Sequence, residues 1–211
     1  MVLVASVMFL GCTSKEPLPA FKTSDIMSNS AKKRIPIVRL HDSNTGSFFC
    51  TASVISNKYA LTAAHCLIGI KDKKINIKLQ NAGEVLTTAV VAKFNVTADV
   101  GLIMGDFSAF NSIAIVTNPK EQLDIINASK IVSCGYPWGG ELYCTNAQPK
   151  EFYFFSWGAT AQLFPGMSGG PVLSALTYQV IGVNYGMTQK GAILSPIVNI
   201  FDMLGIEVET Q

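Results

Sequence analysis

Apolar and β-branched residues recur along this chain in short runs separated by turn-forming clusters. The runs are Ile35 to Leu40, Phe48 to Ile55, Tyr59 to Ala63, Ile75 to Leu79, Val85 to Val91, Val100 to Met104, Ile131 to Cys134, Phe152 to Trp157, Pro171 to Leu173 and Gln179 to Tyr185. Clusters such as Asp42-Ser43-Asn44-Thr45-Gly46 and Asn81-Ala82-Gly83 break them. Many short strands without long helical periodicity predict an all-β fold, a barrel or a sandwich. Only near the end does the period change. Ile197, Ile200, Phe201 and Leu204 have helical spacing after Pro196, which predicts a short C-terminal helix opening at a proline.

Three stretches within this pattern carry chemistry. Ser168 sits in Pro165-Gly166-Met167-Ser168-Gly169-Gly170-Pro171, where glycines allow a turn whose backbone N–H groups, those of Gly166 and Ser168, face one point. A serine hydroxyl is a poor nucleophile at neutral pH and needs a base and such an anion-holding site. The chain has two histidines; His65 ends the apolar run Tyr59-Ala60-Leu61-Thr62-Ala63-Ala64-His65-Cys66, whereas His41 precedes a turn and reads as a surface residue. Asp99 lies among apolar residues in Thr97-Ala98-Asp99-Val100-Gly101-Leu102, where a carboxylate without a partner would be costly. An imidazole donating to that carboxylate would hold the tautomer that accepts a serine proton.

Taken in order, TAAHC, the ADVGL run and GMSGGP resemble the three signatures of the trypsin-like, chymotrypsin-fold serine proteases, over about residues 35 to 204. The resemblance implies two orthogonal six-stranded antiparallel β-barrels: residues 35–115 carrying His65 and Asp99, and 116–211 carrying Ser168, with Phe107 to Gln122 crossing between them. It implies catalysis by His65, Asp99 and Ser168, an oxyanion hole of the Gly166 and Ser168 N–H groups, and no metal or organic cofactor. In the digestive branch an aspartate before the nucleophile pairs with an N-terminus freed by cleavage. Here that residue is Met167, so no activating cut is expected, and Phe164 to Pro171 is more similar to the HtrA-like and glutamyl-endopeptidase-like branches. Matching the motif, Gln162 and Leu163 would lie at the primary specificity pocket, Gly186 and Gly191 on its walls, and Asn184-Tyr185-Gly186 on the edge strand that pairs with substrate. None of these positions is charged, which predicts a preference for uncharged, medium-sized side chains.

Met1 to Gly11 is too short an apolar run to span a bilayer but suits an export signal, and Leu10-Gly11-Cys12 resembles a bacterial lipobox with Cys12 lipidated. Ordinary signal cleavage and an uncleaved apolar tail are the alternatives. Residues 13–34 read as a polar linker, including the basic Lys32-Lys33-Arg34. Of five cysteines, removing Cys12 leaves four, which allow three pairings or buried thiols in a reducing compartment. The resemblance favours Cys50 with Cys66. Cys134 and Cys144 flank a turn-rich segment that suits a local bridge. The expected location is the cell envelope or periplasm as a lipoprotein, or the exterior.

Composition mostly excludes. The sequence is 49% hydrophobic and 14% charged with a net charge of +2, too small to argue for nucleic acid, and it holds no phosphate loop, repeat or metal-spaced cluster. The expected partner is a peptide or protein substrate, with membrane contact only through an N-terminal lipid. The sequons at Asn95 and Asn127 would matter only in a eukaryotic secretory route. The leading expectation is a serine endopeptidase; a protease-fold binding module with little turnover and an esterase-type acyl hydrolase are the alternatives.

Overall fold

The computed structural model describes residues 36–70, 74–78, 85–127, 131–153, 156–188 and 191–196. The lipobox-like segment, the basic linker and the expected C-terminal helix lie outside these residues. Six strands make the first unit: β1 (Ile37–Asp42), β2 (Phe48–Val54), β3 (Tyr59–Thr62), β4 (Ile75–Lys78), β5 (Thr87–Asn95) and β6 (Val100–Gly105). They close into an antiparallel barrel in the order β1-β2-β3-β6-β5-β4. Closure leaves no open edge, so every strand's ladder is paired on both sides.

The second unit holds β7 (Ile131–Gly135), β8 (Tyr143–Ala147), β9 (Pro149–Tyr153), β10 (Ser156–Ala159), β11 (Pro171–Ser174), β12 (Val180–Thr188) and β13 (Gly191–Pro196). These form one sheet in the order β8-β7-β11-β12-β13-β10-β9. Its two edge strands, β8 and β9, are separated only by Gln148. They are the halves of one bent strand, so the sheet curls back on itself through the chain and reads as six strands rather than seven. The bend is held at Gln148, whose carbonyl accepts the Thr160 N–H at 2.9 Å and whose N–H donates to Thr160 Oγ1 at 2.8 Å.

The crossing segment contains a feature the apolar pattern did not predict, α1 (Pro119–Asn127). Asn118 caps it, its Oδ1 accepting the Lys120 N–H at 2.9 Å, and Pro119 occupies the first position, where a missing N–H costs nothing. Ahead of α1, the Ile113 N–H donates to Val54 O at 2.9 Å and the Val116 N–H to Val180 O at 3.0 Å, so the crossing is stitched to both units. Among the described residues no helix is long and apolar enough to cross a membrane.

The units share an apolar cluster. Leu40, Val54, Leu61 and Leu102 of the first pack in the same apolar cluster as Val132, Leu173 and Val183 of the second. Strand β2 is buried at every position from Cys50 to Val54, because one of its faces lines the barrel and the other meets the second unit. Polar ties add register. The Tyr136 hydroxyl donates to Ile37 O at 2.9 Å, and the buried Arg39 guanidinium lies 4.7 Å from the Tyr136 ring while donating to Gly140 O. Burial pushes the Tyr136 hydroxyl pKa up to about 12, which keeps it a donor.

Both expected disulfides are present. Cys50–Cys66 spans a separation of 16 residues, a loop whose closure restricts the unfolded chain by about 3 kcal/mol in the entropy model. Cys134–Cys144 joins residues paired directly across β7 and β8, the local bridge expected for a hairpin.

Candidate active site

Strand pairing brings His65 and Asp99 together. Thr62, the last residue of β3, pairs with Gly101 near the start of β6, so the residues just after one strand meet those just before the other. Asp99 occupies the left-handed region, φ 48°, in a turn where the Asn95 side chain accepts the Ala98 N–H at 2.9 Å. Aspartate tolerates that conformation better than most residues. Its side chain is 5% exposed, yet both oxygens are engaged: Oδ1 accepts the His65 backbone N–H at 2.8 Å, and Oδ2 lies 2.8 Å from His65 Nδ1. The histidine loop can settle over the aspartate because residue 101 is glycine. A Cβ there would collide with Leu67 and lie 3.2 Å from Phe94 Cβ.

Ser168 is held from two sides. On one, Thr51 of β2 donates its N–H to Ser168 O at 2.9 Å and its hydroxyl to Gly166 O at 2.7 Å. On the other, Gly169 N–H donates to Asn184 O at 2.8 Å and Asn184 N–H to Gly170 O at 2.9 Å. Gly166 and Gly169 both have positive φ, 92° and 80°, so the turn requires glycine at each. Among the described residues, neither the Gly166 nor the Ser168 N–H donates to a protein group. Met167 is fully buried, packed against Gly135.

The link between Ser168 and His65 is open. The Ser168 hydroxyl donates to Tyr185 O at 3.5 Å, a long bond, and not to the imidazole. The His65 ring faces the same residue, its centroid 6.0 Å from that of the Tyr185 ring. Hydrogen bonds among catalytic groups are often long before substrate binds and tighten in the complex.

The expected substrate strand needs one correction. Asn184 was expected to offer its backbone to substrate, but both its backbone groups bind the serine turn, and its side chain is buried. The amide Oδ1 accepts the Ser133 hydroxyl at 2.7 Å, while Nδ2 donates to Cys134 O at 2.8 Å and Met167 O at 3.3 Å. Asn184 is a brace for the turn; the β12 carbonyl that meets Ser168 is that of Tyr185.

Around the expected pocket, Gln162 is exposed, and the buried Leu163 donates its N–H to Met187 Sδ at 3.3 Å. A Cβ at Gly186 would meet nothing within 4 Å. Gly191 differs: at φ 130° a Cβ would strike the Ala159 carbonyl, so backbone conformation demands glycine there. His41 is half-buried beside Phe48, its Nδ1 2.9 Å from Gly46 O, and burial lowers its pKa. The donors of Cys50, Cys66 and His65 lie within 4.8 Å of one another, but the two sulfurs are bonded to each other and offer no thiolate to a metal.

Sequence reasoning missed Thr51 and the amide of Asn184. Each reads as an ordinary strand residue, and only the packing of β2 and β12 against the turn gives it work.

Comparison with known proteins bears on the fold. The family model described as a trypsin-like peptidase domain matches residues 50–183, more than half of the chain. Among solved structures, the Rv3671c protease from M. tuberculosis in its active form is 17% identical with a TM-score of 0.63, over 83% of each chain. The serine endoprotease from Yersinia pestis is 16% identical with a TM-score of 0.62, over 89% of this chain and 65% of that one. The HtrA-type protease AlgW, solved with a decapeptide, is 15% identical with a TM-score of 0.61, over 83% of this chain and 64% of that one. At such identities these likenesses speak for the fold. A comparison with curated proteins finds no significant match. The family match and the two-unit β fold agree: this chain belongs to the trypsin-like peptidase domain family.

Proposed function

We propose that the chain is a serine endopeptidase in which Ser168 is the nucleophile, His65 the general base and acid, and Asp99 the group that orients His65. The observation that carries this reading is the pair of bonds from Asp99 to His65, one to the backbone and one to Nδ1. With Nδ1 committed as a donor, Nε2 is the nitrogen left to take a proton. Ser168 Oγ attacks the scissile carbonyl carbon as its proton passes to Nε2. The carbonyl oxygen becomes an oxyanion held by the Gly166 and Ser168 N–H groups. The C–N bond then breaks, Nε2 gives its proton to the departing amine, and water repeats the sequence to free the acid and restore Ser168.

One observation favours a protease-fold binding module instead: the bond from Ser168 Oγ to the Tyr185 carbonyl. A serine hydroxyl moves between staggered rotamers at little cost, so a substrate carbonyl arriving there readily releases it.

Specificity and activation follow from the same surroundings. Leu163, Met187 and the open side of Gly186 make apolar surroundings, which suit uncharged side chains. The buried Met167 offers nothing to an ammonium group, so activity needs no cut within residues 13–34. The two disulfides fit an oxidising compartment and thus export, with Cys12 as the lipidated residue of an envelope protein or a secreted form as the alternative. The test is a peptide library offered to the protein with and without residues 13–34, beside Ser168→Ala. Expected is cleavage after Ala, Val or Leu about tenfold faster than after Lys, Arg or Glu, equal in both forms and lost in the variant. Faster cleavage after a charged residue, or activity only in the shortened chain, would contradict the specificity or the activation account.

A further inference from the structure

Gly166 stands where the serine turn most needs a fixed shape. Its φ is 92°, and glycine takes positive and negative φ with nearly equal ease, so nothing in the residue itself fixes the direction of its N–H. The three successive peptides from Pro165 to Ser168 are held instead by their oxygens. Pro165 O accepts the Trp138 N–H at 2.7 Å, and Gly166 O accepts the Thr51 hydroxyl at 2.7 Å. Met167 O accepts the Gly170 N–H at 3.0 Å and Asn184 Nδ2 at 3.3 Å. In a trans peptide the N–H points away from the C=O, so the outer two bonds aim the Gly166 and Ser168 N–H groups to the opposite side. The middle peptide, Gly166 to Met167, joins those two donors, and its orientation sets how they face each other. The group that holds its oxygen is the side chain of Thr51.

We propose that Thr51 is a positioning residue for the reaction, its hydroxyl fixing the middle peptide so that the Gly166 and Ser168 N–H groups converge on the oxyanion. This role rests on the endopeptidase reading above. The hydroxyl has one proton to give, and its surroundings decide where it goes. Oγ1 accepts the Tyr136 N–H at 3.1 Å, and the proton goes to Gly166 O. The side chain has little freedom to turn away, since it is wholly buried and β-branched, with χ1 stiff in a strand. Its backbone is engaged as well: the N–H donates to Ser168 O at 2.9 Å, and the carbonyl accepts the Thr62 hydroxyl at 2.8 Å. Thr62 closes β3, three residues before His65. One residue therefore ties the oxyanion donors, the nucleophile and the histidine strand together. Valine would fill nearly the same volume but leave Gly166 O without its donor, whereas serine would keep that donor.

The test compares the full protein with Thr51→Val, Thr51→Ala and Thr51→Ser on a peptide cleaved after leucine and on two inhibitors of that sequence, a peptide aldehyde and the matching alcohol. Ser168 Oγ bonds to the aldehyde carbon, its proton passes to His65 Nε2, and the aldehyde oxygen becomes an oxyanion; the alcohol binds without forming either. Expected in Thr51→Val is a kcat about a hundredfold lower with KM within about twofold, aldehyde affinity falling about as far, and alcohol affinity unchanged. Thr51→Ser, which keeps the donor, should stay within about fivefold of the unaltered protein. Thr51→Ala carries the same expectation as valine and decides the matter if circular dichroism shows the valine variant unfolded. A folded valine or alanine variant with kcat within about threefold, or one that loses aldehyde and alcohol affinity equally, overturns the positioning role while the endopeptidase stands. No turnover and no aldehyde binding by the unaltered protein would overturn the endopeptidase reading, and the role of Thr51 with it.

Discussion

Replacing Asp99 by asparagine is expected to lower kcat by about ten-thousand-fold while leaving the fold in place. The reason lies in the double bond pattern at this residue. The His65 backbone N–H is an obligatory donor and already takes Oδ1 at 2.8 Å. An asparagine would have to keep its oxygen there, which turns its NH2 toward His65 Nδ1. Nδ1 must then accept, so the ring proton moves to Nε2, and Nε2 can no longer receive the Ser168 proton. The loss is one of tautomer, not of position. Kinetics on a peptide with an uncharged residue before the scissile bond check it, beside circular dichroism. A loss below about tenfold in a folded variant would show that Asp99 does not set the tautomer.

Gly169→Ala is expected to destabilise the protein by at least about 3 kcal/mol, a fall of roughly 6–12 °C in Tm for a chain this size. Two costs combine. At φ 80° any side chain is strained, and the new Cβ would press on Thr62 Oγ1 and Thr51 O and lie 2.8 Å from Ala63 N. Two of these three atoms are backbone, of β2 and of the approach to His65, so relief means pulling the serine turn away from the histidine loop. Gly186→Ala is the internal comparison, because its Cβ meets nothing within 4 Å, and a shift within about 2 °C is expected there. Calorimetry of the two variants decides the matter. Similar Tm values for both would mean that the turn does not rest on β2 as described.

The three residues of the site were legible because each sits in a short local pattern: a histidine closing an apolar strand, a lone carboxylate among apolar neighbours, a serine among glycines. Most strands were legible for the same reason. Where the reading slipped, burial explains it. β5 runs to Asn95, beyond the expected Val91, because Lys93 interrupts the apolar run and only Ala89 of the strand is buried. The run Phe152 to Trp157 divides between β9 and β10, which pair with each other as a hairpin. β8 and β13 were not predicted; β8 is polar and only partly buried, and β13 opens at Gly191. α1 escaped because it lies across the end of the segment read as the crossing, Phe107 to Gln122, although the Asn118-Pro119 pair is also how a helix begins. The brace at Asn184 and the double donor at Thr51 were beyond sequence altogether. Their roles arise only when β2 and β12 close on the turn between them.

The central claim, that Asp99, His65 and Ser168 act as one unit, is tested most directly by labelling with a fluorophosphonate probe, which reacts only with an activated serine. The protein should be labelled, and Ser168→Ala and His65→Ala should not, although both keep the fold by circular dichroism. A folded protein that takes no label, or one labelled equally after His65→Ala, would contradict the account.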